Sequence, residues 1–391
     1  MKKWLDRALT LLVLLAMLAG LGRALLRPKE VNTYENRTAN QPPAFSAAAF
    51  GSGEYQDALE AALTDQVPLA QRLEKGYQQV TNAFLRACLQ RLVAAHPDRY
   101  FGYHNLMLFG GDYIVYPTNY IDQRQEALDR KIAALNALFA KYPQTAFYVY
   151  YIEKDTDVNF ESGYLSGLSD YLLDRLALPE AQKSAFRVTS FDEYKTWFYR
   201  TDHHWNWEGS LRGYREVMAL LGNDNLLTPT GPEFIAGGMC GSKAHVSGGE
   251  SIFTEDFYAY RYPFPEMEIT IDGKPVDDYG EQSRVYTADD YGKVFYSGFY
   301  GGDDGEIIFR THNAGAGNLL VIGESYDNAI LKALASGFEN TYSIDLRNYE
   351  REMGTPFDFA DYLAAHEIDK VLLIGNIDYF VMDEFLVEGE A

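Results

Sequence analysis

The C-terminal part of the chain alternates between continuous apolar runs and segments with the apolar spacing of a helix. Three runs, NLLVIG, NTYSIDL and KVLLIG, are separated by the helical segments DNAILKALASGF and FDFADYLAAH. Apolar runs of this kind are typical of strands that are buried on both faces of a parallel sheet. Consecutive parallel strands need a crossover, which is usually a helix, so residues 313–391 predict one parallel sheet.

The same alternation occurs earlier in the chain. A helix is predicted at about residues 122–142, where Pro143 ends it, and the apolar run AFYVYYI follows. Residues 228–312 differ, because they are rich in Gly, Tyr and Phe and contain alternating runs such as MEITIDGK, which predict strands. We therefore expect an α/β core with a mainly parallel sheet flanked by helices, formed by residues 111–227 and 313–391 and interrupted by a β-rich insertion at 228–312.

The N-terminal part of the chain has the pattern of a targeting segment followed by an arm. Lys2, Lys3 and Arg7 precede an uncharged stretch, ALTLLVLLAMLAGLG. A basic start before an apolar stretch is typical of a secretory signal peptide or a signal anchor. No small-x-small cleavage site is evident, so we favour an uncleaved anchor at residues 1–27 over a cleaved signal peptide. We expect residues 28–110 to form an N-terminal arm with helices.

Composition excludes some classes of partner and site. The net charge is −22, from 34 basic and 56 acidic residues, and such a field repels nucleic-acid phosphates, so we expect no nucleic-acid partner. Cys88 and Cys240 are the two cysteines, and no CxxC pair indicates a structural zinc site. The sequence is compatible with a disulfide between these two cysteines and equally with two unrelated thiols. Nothing in the sequence predicts a cofactor.

The segment VIGESYDNA places a serine between a predicted strand and a predicted helix. Gly323 permits a tight turn, and Ser325 follows at the N-terminal end of the helix. There the backbone N–H groups and the helix dipole can stabilise a developing oxyanion. A serine that merely caps its helix has the same pattern, so Ser325 is a candidate nucleophile with a structural alternative.

A serine nucleophile needs a base, and the segment TDHHWNWEG contains one. His204 is the candidate base, and Asp202 is the carboxylate that would hold it in the required tautomer. In an extended segment their spacing places both side chains on one face and His203 on the other. The alternatives are a hydrogen-bonded structural loop and a metal site of Asp202 with both histidines. We favour the triad over a metal, because no HExxH motif or Cys ligand accompanies these residues.

The motifs and their order resemble the DHHW family, which is related to the SGNH-hydrolase-like alginate O-acetylation proteins AlgJ and AlgX. TDHHWNWEG precedes GESY, a permuted order for an SGNH-type domain. Further similar segments are YENR at 34–37, LTDQVPLAQR at 63–72, FYGGD at 299–303 and IDLRNY at 344–349. One departure is Glu324, since many relatives have Asp before the serine.

The resemblance implies an SGNH-hydrolase-like fold with a catalytic triad. Asp202 would orient the imidazole, His204 would be the general base and Ser325 the nucleophile. Candidates for contacts with the substrate or the oxyanion are Gly301, Gly302, Tyr326, Asn328, Arg347 and the Ser325 backbone N–H. For Arg347, an ion pair with Asp345 or Glu350 is the alternative to an anionic substrate group.

The resemblance also implies acyl transfer outside the cytoplasm. The simplest form moves an acetyl group onto or off a hydroxyl of a cell-surface or secreted polysaccharide, with a membrane-bound acyltransferase partner supplying the acetyl group. One alternative is a non-catalytic glycan-binding or assembly protein that keeps the fold. The other is a carbohydrate esterase, which uses the same triad and differs in how well water is excluded.

The charges beside the apolar stretch predict the topology at the membrane. Lys2, Lys3 and Arg7 precede the stretch and favour the cytoplasmic side, so the acidic remainder of the chain is expected outside the cytoplasm. A phosphatase reporter that works only outside the cytoplasm should be active when it is fused after Ala391. The matched fusion carries a reporter that works only inside, and activity of that fusion alone would contradict the topology.

Overall fold

The computed structural model describes residues 37–66, 91–248 and 253–382, residues 31–32, and scattered helical positions between residues 7 and 89. The predicted anchor, residues 1–27, lies outside the described residues apart from isolated positions. Among the described residues, no helix has both the length and the apolar character that a membrane span requires.

The chain divides into two compact units. The first comprises Met1–Leu92 and Ala244–Phe253, and the second comprises Val93–Lys243 and Thr254–Ala391. In the first unit, β1 (Val31–Asn32) pairs antiparallel with β2 (Arg37–Thr38), and α1 (Ala47–Ser52) and α2 (Glu54–Gln66) follow. The Asn40 backbone and side-chain amides donate to Asp65 Oδ2 at 2.7 and 3.0 Å, which joins the start of this arm to the end of α2.

The second unit is built around an eight-stranded sheet. Its strands are, in spatial order, β13 (Lys274–Val276), β12 (Met267–Ile271), β14 (Glu306–Thr311), β16 (Asn340–Ile344), β15 (Asn318–Ile322), β17 (Lys370–Gly375), β6 (Ala146–Ile152) and β9 (Lys183–Phe186). The five strands from β16 to β9 are mutually parallel, and the three at the other edge are antiparallel. The predicted fold class, a mixed α/β structure with a mainly parallel central sheet, is confirmed.

The remaining strands of the unit form small antiparallel sheets. They are β3 (Phe101–Tyr103), β4 (Leu106–Phe109), β5 (Tyr113–Val115), β7 (Val158–Asn159), β8 (Tyr164–Leu165), β10 (Pro232–Met239) and β11 (Glu255–Tyr260). The helices that begin in this unit are α3 (Ile121–Lys141), α4 (Leu168–Leu173), α5 (Phe191–Trp197), α6 (Trp207–Leu220), α7 (Ser242–Val246), α8 (Tyr296–Tyr300), α9 (Asn328–Ala335), α10 (Tyr349–Met353) and α11 (Phe359–His366).

The strands bury both faces, as their continuous apolar runs predict. Along β15, Leu319 and Val321 face a core that includes residues of α6 and α9, whereas Leu320 and Ile322 face a core that includes residues of α3, α4 and α11. Successive side chains of a strand point to opposite faces, so a strand with no polar break needs a helix layer on each side. The result is a three-layer arrangement with the sheet in the middle.

The stretch predicted as an insertion, residues 228–312, differs from the expectation in where its strands lie. The hairpin of β10 and β11 is separate, but β12, β13 and β14 extend the central sheet, and β14 pairs antiparallel with β16. Alternating runs predict that strands form, but they do not predict which sheet edge the strands join. Here they pair the N–H and C=O groups that the edge of β16 would otherwise expose.

The predicted boundary between arm and core, at residue 110, also differs from the structure. It falls inside the three-stranded meander of β3, β4 and β5. Gly110 and Gly111 form the turn between β4 and β5 with φ of +63° and +105°. These left-handed values suit glycine, so the Gly-Gly pair marks a hairpin turn within the core unit and no domain boundary.

The centre of the sheet should dominate the stability of the second unit. Leu372 in β17 is fully buried, so we expect Leu372→Ala to lower the free energy of unfolding by about 2–5 kcal/mol through lost transfer energy and a residual cavity. Leu226→Ala is the matched control, because that side chain is 45% exposed and should change the value by less than about 0.5 kcal/mol. Urea unfolding followed by fluorescence measures both. Equal losses in the two variants would contradict the core assignment.

Candidate active site

The site forms at the carboxyl end of β15, where β16 lies on one side and β17 on the other. The crossover through α9 leads from β15 to β16, and the next one, through α11, leads back past β15 to β17, so successive crossovers run toward opposite edges of the sheet. Such a switch in strand order opens a crevice at the carboxyl ends of the strands in α/β proteins. Ser325 lies in the turn between β15 and α9. The residue at the helix N-cap is Asp327, so Ser325 is not the cap of α9 and the capping alternative is not supported.

The structure brings the three predicted triad residues together. His204 Nε2 lies 2.8 Å from Ser325 Oγ, and His204 Nδ1 lies 2.6 Å from Asp202 Oδ1. Because an ionised carboxylate only accepts, Nδ1 carries the proton and Nε2 is left to accept the hydrogen of the Ser325 hydroxyl. This is the tautomer that a serine nucleophile needs.

A turn holds His204 in place, and the segment that contains it is not extended. The His204 backbone N–H donates to Asp202 Oδ1 at 2.9 Å, so the Asp202 side chain closes a turn on its own chain while it binds the imidazole. Downstream, Asn206 caps α6 by accepting from the backbone N–H groups of Glu208 and Gly209 at 2.9 and 3.0 Å. The segment therefore ends in a rigid helix start.

A second loop fixes the other oxygen of Asp202. The Ser242 backbone N–H donates to Asp202 Oδ2 at 2.7 Å, and the Gly241 N–H donates to Thr201 Oγ1 at 3.0 Å. A Cβ on Gly241 would lie 2.5 Å from Asp202 Cβ, so this loop can reach the carboxylate only with glycine at that position.

Asp202 stays ionised although it is buried. Burial by itself would raise the pKa of the Asp202 carboxyl, but the attraction of His204, its hydrogen bond and the Ser242 N–H together hold that pKa well below its usual range. The carboxylate can therefore stabilise the positive charge that His204 acquires when it takes a proton.

Two tyrosines pack against the imidazole of His204. The sequence did not indicate that they act together. Tyr296 of α8 stacks on His204 with ring centroids 3.7 Å apart and an interplanar angle of 2°. Tyr326, predicted as a substrate contact, is fully buried and donates its hydroxyl hydrogen to the His203 carbonyl oxygen. Tyr326 therefore holds the histidine segment in place, and nothing in the pattern around Tyr296 predicted its role.

His203 points away from the serine. Its Nδ1 lies 2.5 Å from Ser242 Oγ, which attaches the histidine segment to the start of α7. Burial lowers the pKa of the His203 imidazole well below its usual value, and the neighbouring His204 acts in the same direction. His203 is thus neutral and acts as a positioning residue for the loop.

The hydrogen bonds of His204 argue against the alternative of a metal site. Within the part of the chain that the structure describes, Asp202, His203 and His204 are the one set of His, Cys, Asp or Glu side chains with three donor atoms inside 4.8 Å of one another. Both ring nitrogens of His204 are already hydrogen-bonded, to Asp202 and to Ser325. A metal on His204 would have to break one of these bonds, so the arrangement fits the triad better than an ion.

Several candidate oxyanion contacts are occupied elsewhere. The Asn328 side-chain amide donates to the Gly301 carbonyl at 3.2 Å and to Asp303 at 3.1 Å, and the Gly301 N–H donates to Ser297 at 2.9 Å. Gly302 lies in the wall of a pocket beside β15 and β16, together with Asp303, Asp304, Glu324, Asp327 and Asp345. The Ser325 backbone N–H has no hydrogen-bond partner among the described residues, so it is available as a donor.

Arg347 forms an ion pair, as the structural alternative predicted. Its Nε donates to Asp345 Oδ1 at 3.0 Å, its Nη2 donates to Asp345 Oδ2 at 2.5 Å, and Nη2 also donates to Asp303 Oδ2 at 2.9 Å. Burial would lower the pKa of the Arg347 guanidinium, and the two carboxylates raise it instead. The structure does not bring Arg347 to the Ser325 hydroxyl.

Two buried lysines near the site were missed by the sequence analysis. Lys154 Nζ donates to Asp378 Oδ2 at 2.9 Å, and Lys243 Nζ donates to Asp155 Oδ2 at 2.6 Å. Burial lowers the pKa of Lys243, whereas the carboxylates around Lys154 raise the pKa of that ammonium despite its burial. Both ion pairs lie at the carboxyl ends of the strands. Because the two partners of each pair come from distant segments, no sequence motif predicts them.

Comparison with known proteins bears on this site directly. The family model described as DHHW protein matches residues 185–344, which include Asp202, His204 and Ser325. The predicted DHHW resemblance is confirmed. Among curated proteins, none matches the sequence of this chain.

Solved structures resemble this chain in fold. PatB1 from Bacillus cereus is 20% identical with a TM-score of 0.52, and the match covers 74% of this chain and 99% of that chain. A DHHW family protein from Eubacterium siraeum DSM 15702 is 15% identical with a TM-score of 0.55, covering 73% and 95%. The O-acetyltransferase domain of Pseudomonas putida AlgJ aligns with 11% identity and a TM-score of 0.39, covering 73% and 94%. The first two establish likeness in fold, and the third superposition is too loose to carry an argument.

The close approach of Gly241 to Asp202 gives a test of the site's packing. We expect Gly241→Ala to lower the free energy of unfolding by about 1–3 kcal/mol, because a methyl group there overlaps the Asp202 backbone and side chain. Gly231→Ala is the matched control, since a Cβ on Gly231 meets no atom within 4 Å. Urea unfolding measures both variants, and an unchanged value for Gly241→Ala would argue against this loop arrangement.

Proposed function

We propose that this protein is an extracytoplasmic, serine-dependent acyltransferase that moves an acetyl group on a cell-surface or secreted polysaccharide. The observation that carries the proposal is the hydrogen-bonded chain from Asp202 through His204 to Ser325 Oγ. It joins a histidine and a serine that lie 121 positions apart in sequence. A structural histidine or serine has no need of such a partner, so the chain favours an activated nucleophile.

The first half of the reaction acetylates the serine. His204 Nε2 takes the hydroxyl proton as Ser325 Oγ attacks the carbonyl carbon of an acetyl donor, and Asp202 stabilises the imidazolium. The negative oxygen of the tetrahedral intermediate lies near the Ser325 N–H, at the start of α9. The bond to the donor's leaving oxygen then breaks, and that oxygen receives the proton from His204.

The second half moves the acetyl group to the acceptor. A sugar hydroxyl gives its proton to His204 Nε2 and attacks the acetyl-Ser325 carbonyl. Collapse of the intermediate releases the acetylated sugar and returns the proton to Ser325 Oγ. Water in place of the sugar gives hydrolysis by the same steps, so the distinction between a transferase and an esterase depends on water exclusion.

The acetyl group, the polysaccharide, the extracytoplasmic location and a membrane-bound partner that supplies the donor are parts of the proposal that come from the DHHW resemblance in the sequence. The family-model match at residues 185–344 supports the resemblance. The net charge of −22 is compatible with a neutral glycan and unfavourable for nucleic acid. A glycan-binding protein that keeps the fold is the second candidate, but it does not account for the tautomer-specific bonds of His204.

The reaction predicts a sharp effect of triad substitutions on ester turnover. We expect Ser325→Ala and His204→Ala to lower the kcat/KM for a chromogenic acetyl ester by about 10⁴-fold or more, because each removes a reacting group. Asp202→Ala should lower it severely but leave residual turnover, since Asp202 orients and does not react. Stopped assays on the protein without residues 1–27 measure kcat/KM for each variant. Unfolding curves of the same variants show whether they are folded.

Matched controls separate chemistry from folding. Ser162→Ala and His312→Ala make the same changes at exposed positions away from the triad and should keep wild-type turnover. PatB1 has been solved with a sulfonyl adduct, so labelling by a sulfonyl fluoride, detected by mass spectrometry, is a suitable second test of Ser325. If folded wild-type protein neither turns over the ester nor takes the label, the result favours the alternative of a glycan-binding protein. Acetylated product on short soluble glycans would distinguish transfer from hydrolysis.

A further inference from the structure

A carboxyl group that the triad does not use touches the nucleophile. Glu324 is buried between two neighbours, with Oε2 3.2 Å from Ser325 Oγ and Oε1 2.8 Å from Asn376 Nδ2. Ser325 Oγ also lies 2.8 Å from His204 Nε2. The hydroxyl therefore has two potential acceptors and a single hydrogen to donate.

The amide of Asn376 determines which oxygen of Glu324 can carry a proton. Asn376 Oδ1 accepts from the Asp378 backbone N–H at 2.8 Å, so the NH₂ group of the same amide must face Glu324. Glu324 Oε1 is thereby an acceptor in either protonation state. When Glu324 is protonated, the hydrogen belongs on Oε2, the oxygen that faces Ser325.

The two states of Glu324 have opposite effects on the nucleophile. An ionised Glu324 competes with His204 for the Ser325 hydrogen and places a negative charge beside the oxygen that develops negative charge as it loses its proton. A protonated Glu324 donates to Ser325 Oγ and leaves the hydroxyl hydrogen directed at His204 Nε2. A donor in this position also stabilises charge on the serine oxygen.

We propose that Glu324 must be protonated for Ser325 to react, and that its carboxyl works as a proton-dependent switch on the nucleophile. The inference rests on the proposed serine-dependent acyl transfer and names a further residue for it. A carboxylic acid that is kept neutral so that it can donate a hydrogen bond is a known device of enzyme sites.

The surroundings of Glu324 agree with a neutral carboxyl. Burial raises the pKa of Glu324, and Asp303 acts in the same direction. Arg347, Lys154 and His204 oppose the rise, but the first two are already paired with other carboxylates. Among the described residues, Asp327, Tyr326 and Tyr379 also feel the charge of Glu324, and all three are acidic groups.

The direction of the pH dependence follows from this state. A raised pKa means that Glu324 keeps its proton to a higher pH than an ordinary glutamate. Activity is present below the pKa of Glu324 and is lost as the pH rises through it. The decline of kcat/KM on the alkaline side of the profile therefore belongs to Glu324.

Glu324→Gln is the decisive variant, because its amide can accept from Asn376 and donate to Ser325 in the same geometry. We measure kcat/KM for a chromogenic acetyl ester against pH, subtracting the Ser325→Ala background. The kcat/KM of wild type should decline by about tenfold per pH unit on the alkaline side, and E324Q should lose that decline. Glu126→Gln is the matched control, since its side chain is 93% exposed on α3 and it should retain the alkaline decline.

An infrared difference spectrum gives a readout that does not depend on turnover. Other buried carboxyls, such as Asp327, also have a raised pKa, so the band of Glu324 is the protonated C=O stretch that wild type shows and E324Q lacks. This band should disappear with rising pH in step with activity. An inactive but folded E324Q, an alkaline decline that persists in it, or no such difference band would overturn the proposal. An inactive wild type would instead refute the acyl-transfer function, so the two failures are distinguishable.

Discussion

The parallel pairing of β15 with β16 on one side and β17 on the other is the constraint on which the site depends. It places the residues that follow β15 at the point where successive crossovers, to β16 and then to β17, run toward opposite edges of the sheet. Gly323 N–H is bonded to the Ile344 carbonyl at the end of β16, and Glu324 reaches Asn376 after β17. Ser325 is thus held from both neighbouring strands, and its hydroxyl projects into the crevice before α9 begins.

Burying charge in this crevice is costly, and the structure meets the cost by pairing. The Asp202 carboxylate receives three N–H groups, from the imidazole and backbone of His204 and from the Ser242 backbone. The Lys154 and Lys243 ammonium groups each have a carboxylate partner. An unpaired buried charge would cost several kcal/mol, so these partners are a condition for placing ionisable groups around the serine. Glu324 departs from this rule, because the groups bonded to its carboxyl are an amide and a hydroxyl, and burial raises the pKa of that carboxyl.

How much could be predicted from the sequence differs between fold and site. The strand–helix alternation after residue 313 predicts the parallel strands, because a strand buried on both faces must be apolar throughout. The order of TDHHWNWEG and GESY predicts which residues meet, through a resemblance and not through spacing. The partners of these residues were not predictable. Tyr296, Ser242 and Lys154 come from separate elements, and nothing local in their segments marks a contact with the histidine, the aspartate or Asp378.

The sequence by itself determined the α/β class, the helix and strand that flank Ser325, and the candidate Asp202, His204 and Ser325, since apolar periodicity and residue chemistry are local properties. Only the tertiary structure decided that β12 to β14 extend the central sheet, that Asn328 and Arg347 are engaged away from the serine, and that Glu324 contacts Ser325. The physical reason is that hydrogen bonds and strand pairing between distant segments depend on three-dimensional distance. A bond across 121 residues leaves no trace in the local pattern of either segment.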